Sequence, residues 1–520
     1  MMKKIQLAQR STWNLYSLFL IALFTFLTAF RWPLLPTFID IYYHLSVVQG
    51  FSEAGGFVAE AFWESAPVGR AHVYPPLLHF FMLLLYKTGV SLISVAKVFE
   101  LITFPLLLGV MWKFMREFFS ERIAFFAVLL GLSAYSLYLA TVNFIPVSLA
   151  VIFGLLAFIY LEKSKLVAAA IFLGLCFYAH GMMPWIFVIS LIIYGLMHRS
   201  SLKRCVFVAA ASIIIALPLL IHQFNARWFL TTVRDVERFT IEINLLCYIG
   251  ALPGIFIALR RKGRYLFILA LLIAHGLLLP FGYYYRTFSG QGIIPLIFLS
   301  ALTVELVFVK LSQRLKNTFS SFDMRKSETI VSLSLLVSLL FVSPTIVIQK
   351  NHTSFALLNS TYTNLIPGLK TVQRSNEMTM FFTKYFNEIK TIIQENSKPE
   401  DIIFCDKSYA GGLLSVISKR ATSTAMMQEV RSFSEYDPIE AATIIIWMKN
   451  PEGSFDLDLA KVIKRYRLVK IDETEFAHIY KNHFAKAKKI VKKAAVPSVF
   501  VFGALCFLIG ACVLDISKKS

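Results

Sequence analysis

The sequence predicts a polytopic α-helical membrane protein of about 12–14 helices, with a small extracytoplasmic α/β domain and a final membrane helix. Three observations predict it. The chain of 520 residues is 57% hydrophobic and only 16% charged, with a mean hydropathy of +0.65, far more apolar than a soluble domain. Apolar runs of roughly 18 or more residues recur, each long enough to cross a bilayer. Residues 379–485 depart from that pattern, carrying charge, Gly and Pro and mixing helical with strand periodicity.

The charge balance excludes one class of partner. Lys and Arg number 52 against 31 Asp and Glu, a net charge of +21. In a soluble protein this would suggest nucleic acid. Here the basic residues cluster in short loops, "MHRSSLKR" (197–204), "RRKGR" (260–264) and "KLSQRLKN" (310–317). That is the positive-inside pattern, so membrane lipids are expected as partners and no nucleic acid is. The six cysteines include no C-x-x-C pair, so neither a zinc site nor a disulfide framework is indicated.

The elements follow in order. The basic start "MMKKIQLAQR" precedes "NLYSLFLIALFTFLTAF" without a small-residue cleavage site, so an uncleaved first helix is expected. Candidate membrane helices are 14–30, 75–90, 92–112, 123–141, 143–161, 165–180, 181–197, 205–222, 243–259, 265–285, 291–312, 329–349 and 494–513. The expected division is a membrane domain over 1–349 with an outer loop at 31–74, an extracytoplasmic domain over 350–490, and a last helix and tail over 491–520. With the three basic loops inside, residues 223–242, 283–292 and 350–490 fall outside. Counting seven candidates from an inside N-terminus puts 197–204 on the wrong side, so one stretch between 75 and 197 is not a simple crossing or a further one is missing from the count. "KAKKIVKK" (486–493) is also basic on the outer side. In the outer domain "EDIIFCD" reads as a buried strand, "YAGGLLSVISKR" as a turn and helix, and "YRLVKIDETEFAHIYKN" as a hairpin. Sequons at Asn351 and Asn359 suggest a surface segment leading to it.

Chemistry concentrates at "FIDIYYHLSVVQGF" (38–51). A carboxylate at the mouth of a membrane helix is costly unless it faces water, a metal or a partner. Asp40 as a helix cap is the plain reading. The loop that follows argues for more, because it also holds Glu53, Glu60, Glu64, Arg70, His72 and Tyr74 before "VYPPLLHFF". His44 is four residues beyond Asp40, on the same face if the segment is helical. His72, His79 and His180 could also line a site, although a lone histidine near a helix end is commonly only hydrogen-bonded there.

This order of features resembles the GT-C superfamily, membrane glycosyltransferases that use polyprenyl-phosphate-linked sugars. "DIYYHLSVVQGF" is similar to the first acidic motif of oligosaccharyltransferase catalytic subunits and their archaeal relatives, and Asp40 falls on its metal-binding and catalytic acid. "HGMMPWIFVISLIIYGL" (180–196) resembles a helix of that family. "RFTIEINLLCYIGAL" (238–252) resembles its TIXE motif, one residue short, with Glu242 as the acid. "YYYRTFSGQGIIPLIFLSAL" (283–302) resembles its R-F…P stretch, in which Arg286 would reach the donor phosphate. The resemblance covers roughly residues 10 to 350. WWDYG, the motif that holds an Asn-x-Ser/Thr acceptor, is absent, and Asn143 stands where a second acidic motif is expected.

The resemblance implies transfer of a sugar from a polyprenyl-phosphate donor to a glycan, lipid or protein acceptor on the outer face of the plasma membrane. Asp40 would be the acid–base group, with Glu60 or Glu64 as alternates. Arg286, His44, Arg70, Tyr74 and Tyr284 would contact substrate. Asp40 and Glu242 would hold a divalent cation, Mn2+ or Mg2+. Elementary chemistry agrees, since a phosphate leaving group needs positive charge and a carboxylate is the usual base. A transporter of lipid-linked sugars, or an inactive relative, are the other readings. The first should show repeat symmetry, and none is visible.

Overall fold

The computed structural model of the chain describes residues 2–30, 32, 39–230, 241–281, 284–319, 323–349, 352–359, 385–426, 430–449, 458–486 and 492–517. Asn351 lies outside them. The membrane domain is built from α1 (Met2–Ala29), α2 (Ile39–Ala54), α3 (Leu77–Lys87), α4 (Leu92–Phe118), α5 (Glu121–Ser133), α6 (Tyr135–Asn143), α7 (Ile145–Glu162) and α8 (Leu166–Ala179). It continues with α9 (Met183–Met197), α10 (Leu202–Asn225), α11 (Leu245–Arg261), α12 (Tyr265–Gly276), α13 (Tyr284–Phe288), α14 (Ile294–Thr318) and α15 (Met324–Phe341). Long Leu, Ile, Phe and Ala runs form helices because hydrocarbon leaves backbone groups no partner but one another. Six described helices, the last at Ser498–Ser517, are long and apolar enough to cross a membrane. The protein is an integral multi-pass membrane protein. Ring stacking of Phe158 on Phe267 (3.5 Å) and of Phe114 on Phe298 (5.1 Å) packs the bundle interior. Such contacts hold helices together where lipid removes the hydrophobic drive between them.

Several expected helices differ, 265–285 among them, which ends at Gly276. The stretch 123–141 is broken, with α5 and α6 meeting at 75°. The stretch 329–349 is helical only to Phe341. It then becomes strand β5 (Val342–Gln349), "VSPTIVIQ", where Pro344 and the β-branched residues disfavour a helix.

The crossing count now closes. α3 has 11 residues, about 16 Å of helix against a hydrocarbon core of about 30 Å. It is shorter than α8 and α9, of 14 and 15 residues, and its place in the count rests on what lies at either side of it. Lys97, early in α4, donates to the Trp32 carbonyl beyond the end of α1 (2.7 Å), so α4 starts where α1 finishes. α1, α4, the bent α5–α6 pair, α7, α8 and α9 then precede 197–204, returning that loop to the N-terminal side. Contacts at that end agree. Lys163 pairs with Glu117 (2.9 Å), Arg204 donates to Ser164 (3.1 Å), Arg264 to the Phe118 carbonyl (3.2 Å), and Ala168 N–H to Asp515 (2.9 Å).

At the opposite end lie β1 (Gly56–Phe57), β2 (Glu60–Ala61), β3 (Arg70–Ala71), β4 (Ile241–Asn244), β5 and β6 (His352–Leu358). β4, β5 and β6 form an antiparallel sheet with Glu242 opposite Val347. Asn359 is buried and donates to the Leu132 and Leu340 carbonyls (3.2 and 3.0 Å), so its sequon is not a surface one. The α/β domain holds β7 (Ile402–Cys405), β8 (Ala421–Thr422), β9 (Ile444–Met448), β10 (Val469–Glu473) and β11 (Ala477–Lys481) in the order β10-β11-β9-β7-β8, parallel across β8-β7-β9. β10 and β11 are the expected hairpin, and helix Ser408–Ser418 packs on α2.

β12 (Val496–Pro497) pairs with β1 at the start of the last helix. A Cβ on Gly56 would lie 2.1 Å from the Val496 carbonyl oxygen, so this seam requires glycine. Two lysines of the basic stretch 486–493 meet carboxylates, Lys492 with Glu53 and Lys486 with Glu440 (both 2.7 Å).

Candidate active site

Asp40 sits exposed in the first turn of α2, where a carboxylate complements the helix dipole. One turn on, His44 is buried, its Nδ1 2.9 Å from Nε2 of His79 on α3. Tyr74 packs edge-on to His44 at 5.2 Å, and the Tyr43 hydroxyl lies 3.5 Å from His72 Nδ1. Burial depresses the His44 and His72 imidazoles to about 3, so both are neutral at physiological pH. Nδ1 of His79 is buried without a described hydrogen-bond partner. A bare lone pair costs less there than an orphaned N–H. The proton therefore belongs on His79 Nε2, which donates to His44 and leaves the His44 proton on Nε2.

Glu64 and Arg70 lie beside this cluster, the Arg70 guanidinium 5.9 Å from the Tyr43 ring centroid, but face each other. They form a fully buried ion pair, Glu64 also accepts from Met426 N–H (2.9 Å), and Arg70 donates to the Val430 carbonyl (3.3 Å). Expected as a catalytic alternate and a substrate contact, the two instead clamp the first loop to the α/β domain, because each is the other's counter-charge away from water. Glu60 is exposed on β2, opposite Ala71.

A second wall carries Arg286, in α13. The chain folds tightly behind it: a Cβ on Gly292 would fall 2.2 Å from the Arg286 carbonyl oxygen. Gln291 ties this loop to α6 and α7 through the Ala140 carbonyl (3.2 Å) and Ser148 (3.3 Å). Ser289 Oγ accepts from the Glu242 N–H (2.8 Å), docking β4 onto the same loop. Glu242 is buried, with Oε2 lacking a described hydrogen-bond partner, and burial pushes its carboxyl up to about 7. Tyr284 is exposed at the start of α13.

His180 joins the two walls. It lies between α8 and α9, its Nε2 is 3.4 Å from an Arg286 guanidinium nitrogen, and both Arg286 and His44 lie within its electrostatic reach. The structure thus brings Asp40, His44, Tyr74, Arg286 and Glu242 to one end of the bundle, and adds His180. The sequence signal for His180 was the break "AHGMMP" between two apolar runs, which sets the imidazole at a helix junction.

The cation that the motif resemblance implied does not fit the described residues. No three His, Cys, Asp or Glu among them group as a metal site. A hard divalent ion takes several oxygen ligands. Asn143, in the place of a second acid, ends α6 with its Oδ1 buried and no described hydrogen-bond partner.

No family model and no curated protein matches the sequence. Solved structures do match the fold. ArnT from Cupriavidus metallidurans bound to undecaprenyl phosphate aligns at a TM-score of 0.58 and 12% identity, over 92% of this chain and 99% of that one. The archaeal oligosaccharyltransferase AglB from Archaeoglobus fulgidus, in complex with an inhibitory peptide and a dolichol-phosphate, aligns at 0.58 and 11%, over 91% and 74%. The arabinofuranosyltransferase AftD from Mycobacteria aligns at 0.52 and 11%, over 91% and 40%. The chain has the fold of the GT-C membrane glycosyltransferases.

Proposed function

We propose that the protein transfers a sugar from a polyprenyl-phosphate-linked donor to an acceptor at the outer face of the plasma membrane. The observation that carries this reading is the guanidinium of Arg286 set beside His180 at the bundle end that also bears Asp40. The undecaprenyl phosphate and dolichol-phosphate of the ArnT and AglB structures support the same donor class. The outer side follows from the basic loops collecting at the other end.

In the transfer, an acceptor hydroxyl or amine attacks the sugar C1. The bond from C1 to the phosphate oxygen breaks, and its electron pair leaves with the polyprenyl phosphate. The Arg286 fork stabilises that anion. Asp40 takes the acceptor proton. Tyr284 flanks the prenyl chain, and His44 and Tyr74 face the sugar. Glu60 is the alternate base, and Glu64 and Arg70 hold the loop in place.

Binding of a polyprenyl phosphate to purified protein tests the reading. Arg286→Ala should weaken it by roughly a hundredfold, and Arg286→Lys by about tenfold, since a point charge replaces a planar fork. Wild-type affinity in Arg286→Ala would remove the phosphate role and the reading with it.

A further inference from the structure

His180 faces Arg286 in a way that the imidazole cannot satisfy. Nδ1 of His180 accepts two backbone hydrogen bonds, from Met182 N–H (3.1 Å) and Met183 N–H (3.2 Å). An Nδ1 aimed at two donors carries a lone pair, so the proton of the neutral imidazole lies on Nε2. That N–H points at a guanidinium nitrogen 3.4 Å away, which has only donors to offer. The side chain is buried, so water does not readily resolve the conflict. An acceptor placed between the two groups resolves it.

We infer that His180 binds the donor phosphate jointly with Arg286, presenting a neutral Nε2–H to one phosphate oxygen while the guanidinium takes others. This rests on the phosphate reading of Arg286 and adds to it a residue and a protonation state. The two Met N–H bonds give His180 its orientation. They also cap the first turn of α9, so the imidazole has a structural task at Nδ1 and a binding task at Nε2.

Substitution separates the tasks. In His180→Asn the side-chain oxygen can still accept from the Met182 and Met183 N–H groups, because Asn caps helix starts well. It lacks the distal donor. The probe is a polyprenyl monophosphate, measured against wild type, Arg286→Ala and His180→Asn, with melting temperature as the folding control. The expected result is a melting temperature near wild type and an affinity lower by roughly tenfold to a hundredfold, the worth of one hydrogen bond to a charged group. His180→Gln, whose longer amide restores a donor near the Nε2 position, should recover most of the loss and covers the case in which the Asn variant folds poorly. Wild-type affinity in His180→Asn, with Arg286→Ala defective, would overturn the His180 assignment and leave the phosphate site standing. Wild-type affinity in both would overturn the phosphate reading itself.

Discussion

Glu242 carries its charge at a cost. Its carboxyl is buried and titrates near 7 in the fold, against 4.5 for the ordinary side chain. Below about 4.5 folded and unfolded chains are both protonated, and burial costs little. As pH rises towards 7 the unfolded chain ionises first, so stability falls through that window and stays reduced above it. Glu242→Gln removes the ionisation. It should raise the melting temperature above pH 7, by the equivalent of at most about 3 kcal/mol, with the gain fading towards pH 4.5. An unchanged or lower melting temperature at high pH would contradict this account of Glu242. At this scale the sequence was uneven. Asp40 stood out because a carboxylate at a helix mouth needs a reason, and Arg286 through the motif resemblance. Glu64 and Arg70 were not, since six residues of spacing do not reveal that both end fully buried, facing each other and the 426–430 backbone. His180 stood with His72 and His79 behind His44 until the Met182 and Met183 N–H groups fixed its tautomer.

Among the elements, α3 decides the topology. Its apolar run reads like a membrane helix, but in the fold it has 11 residues, ends at the Thr88–Gly89 turn and leads into α4 beside the end of α1. Residues 60 and 88 should then be on one side of the membrane. Single cysteines replacing Glu60 and Thr88, both exposed, should react together with an impermeant reagent in intact cells. Labelling of one and protection of the other until lysis would restore α3 as a crossing. The bend between α5 and α6 and the strand β5 escaped the sequence for a related reason. Hydropathy reports how apolar a stretch is, and a buried strand or a bent pair is as apolar as a straight helix.

At the scale of the whole molecule, the α/β domain sits directly on α2, which begins with Asp40, and on the loop that follows it. The bonds of the Glu64–Arg70 pair to Met426 and Val430 and the helix Ser408–Ser418 on α2 tie one to the other, and the β1–β12 seam ties the same loop to the start of the last helix. Composition, loop charges and the order of motifs were enough to indicate the bundle, the added domain and the fold, because those depend on solvent class and chain direction. Where the domain docks depends on side-chain fit, which neither property encodes. The central claim is that this assembly consumes a polyprenyl-phosphate sugar with Asp40 as the base. Mass analysis of polyprenyl-linked sugars should be run in cells carrying the wild-type protein, no protein, or Asp40→Asn. Asp40→Asn keeps the size of the side chain and a competent helix cap, so the protein should fold. Transfer should fall by roughly a hundredfold or more. One lipid-linked sugar should therefore accumulate equally in the null and Asp40→Asn cells and stay low in wild type. A wild-type lipid pool in Asp40→Asn cells, or no difference between null and wild type, would contradict the account.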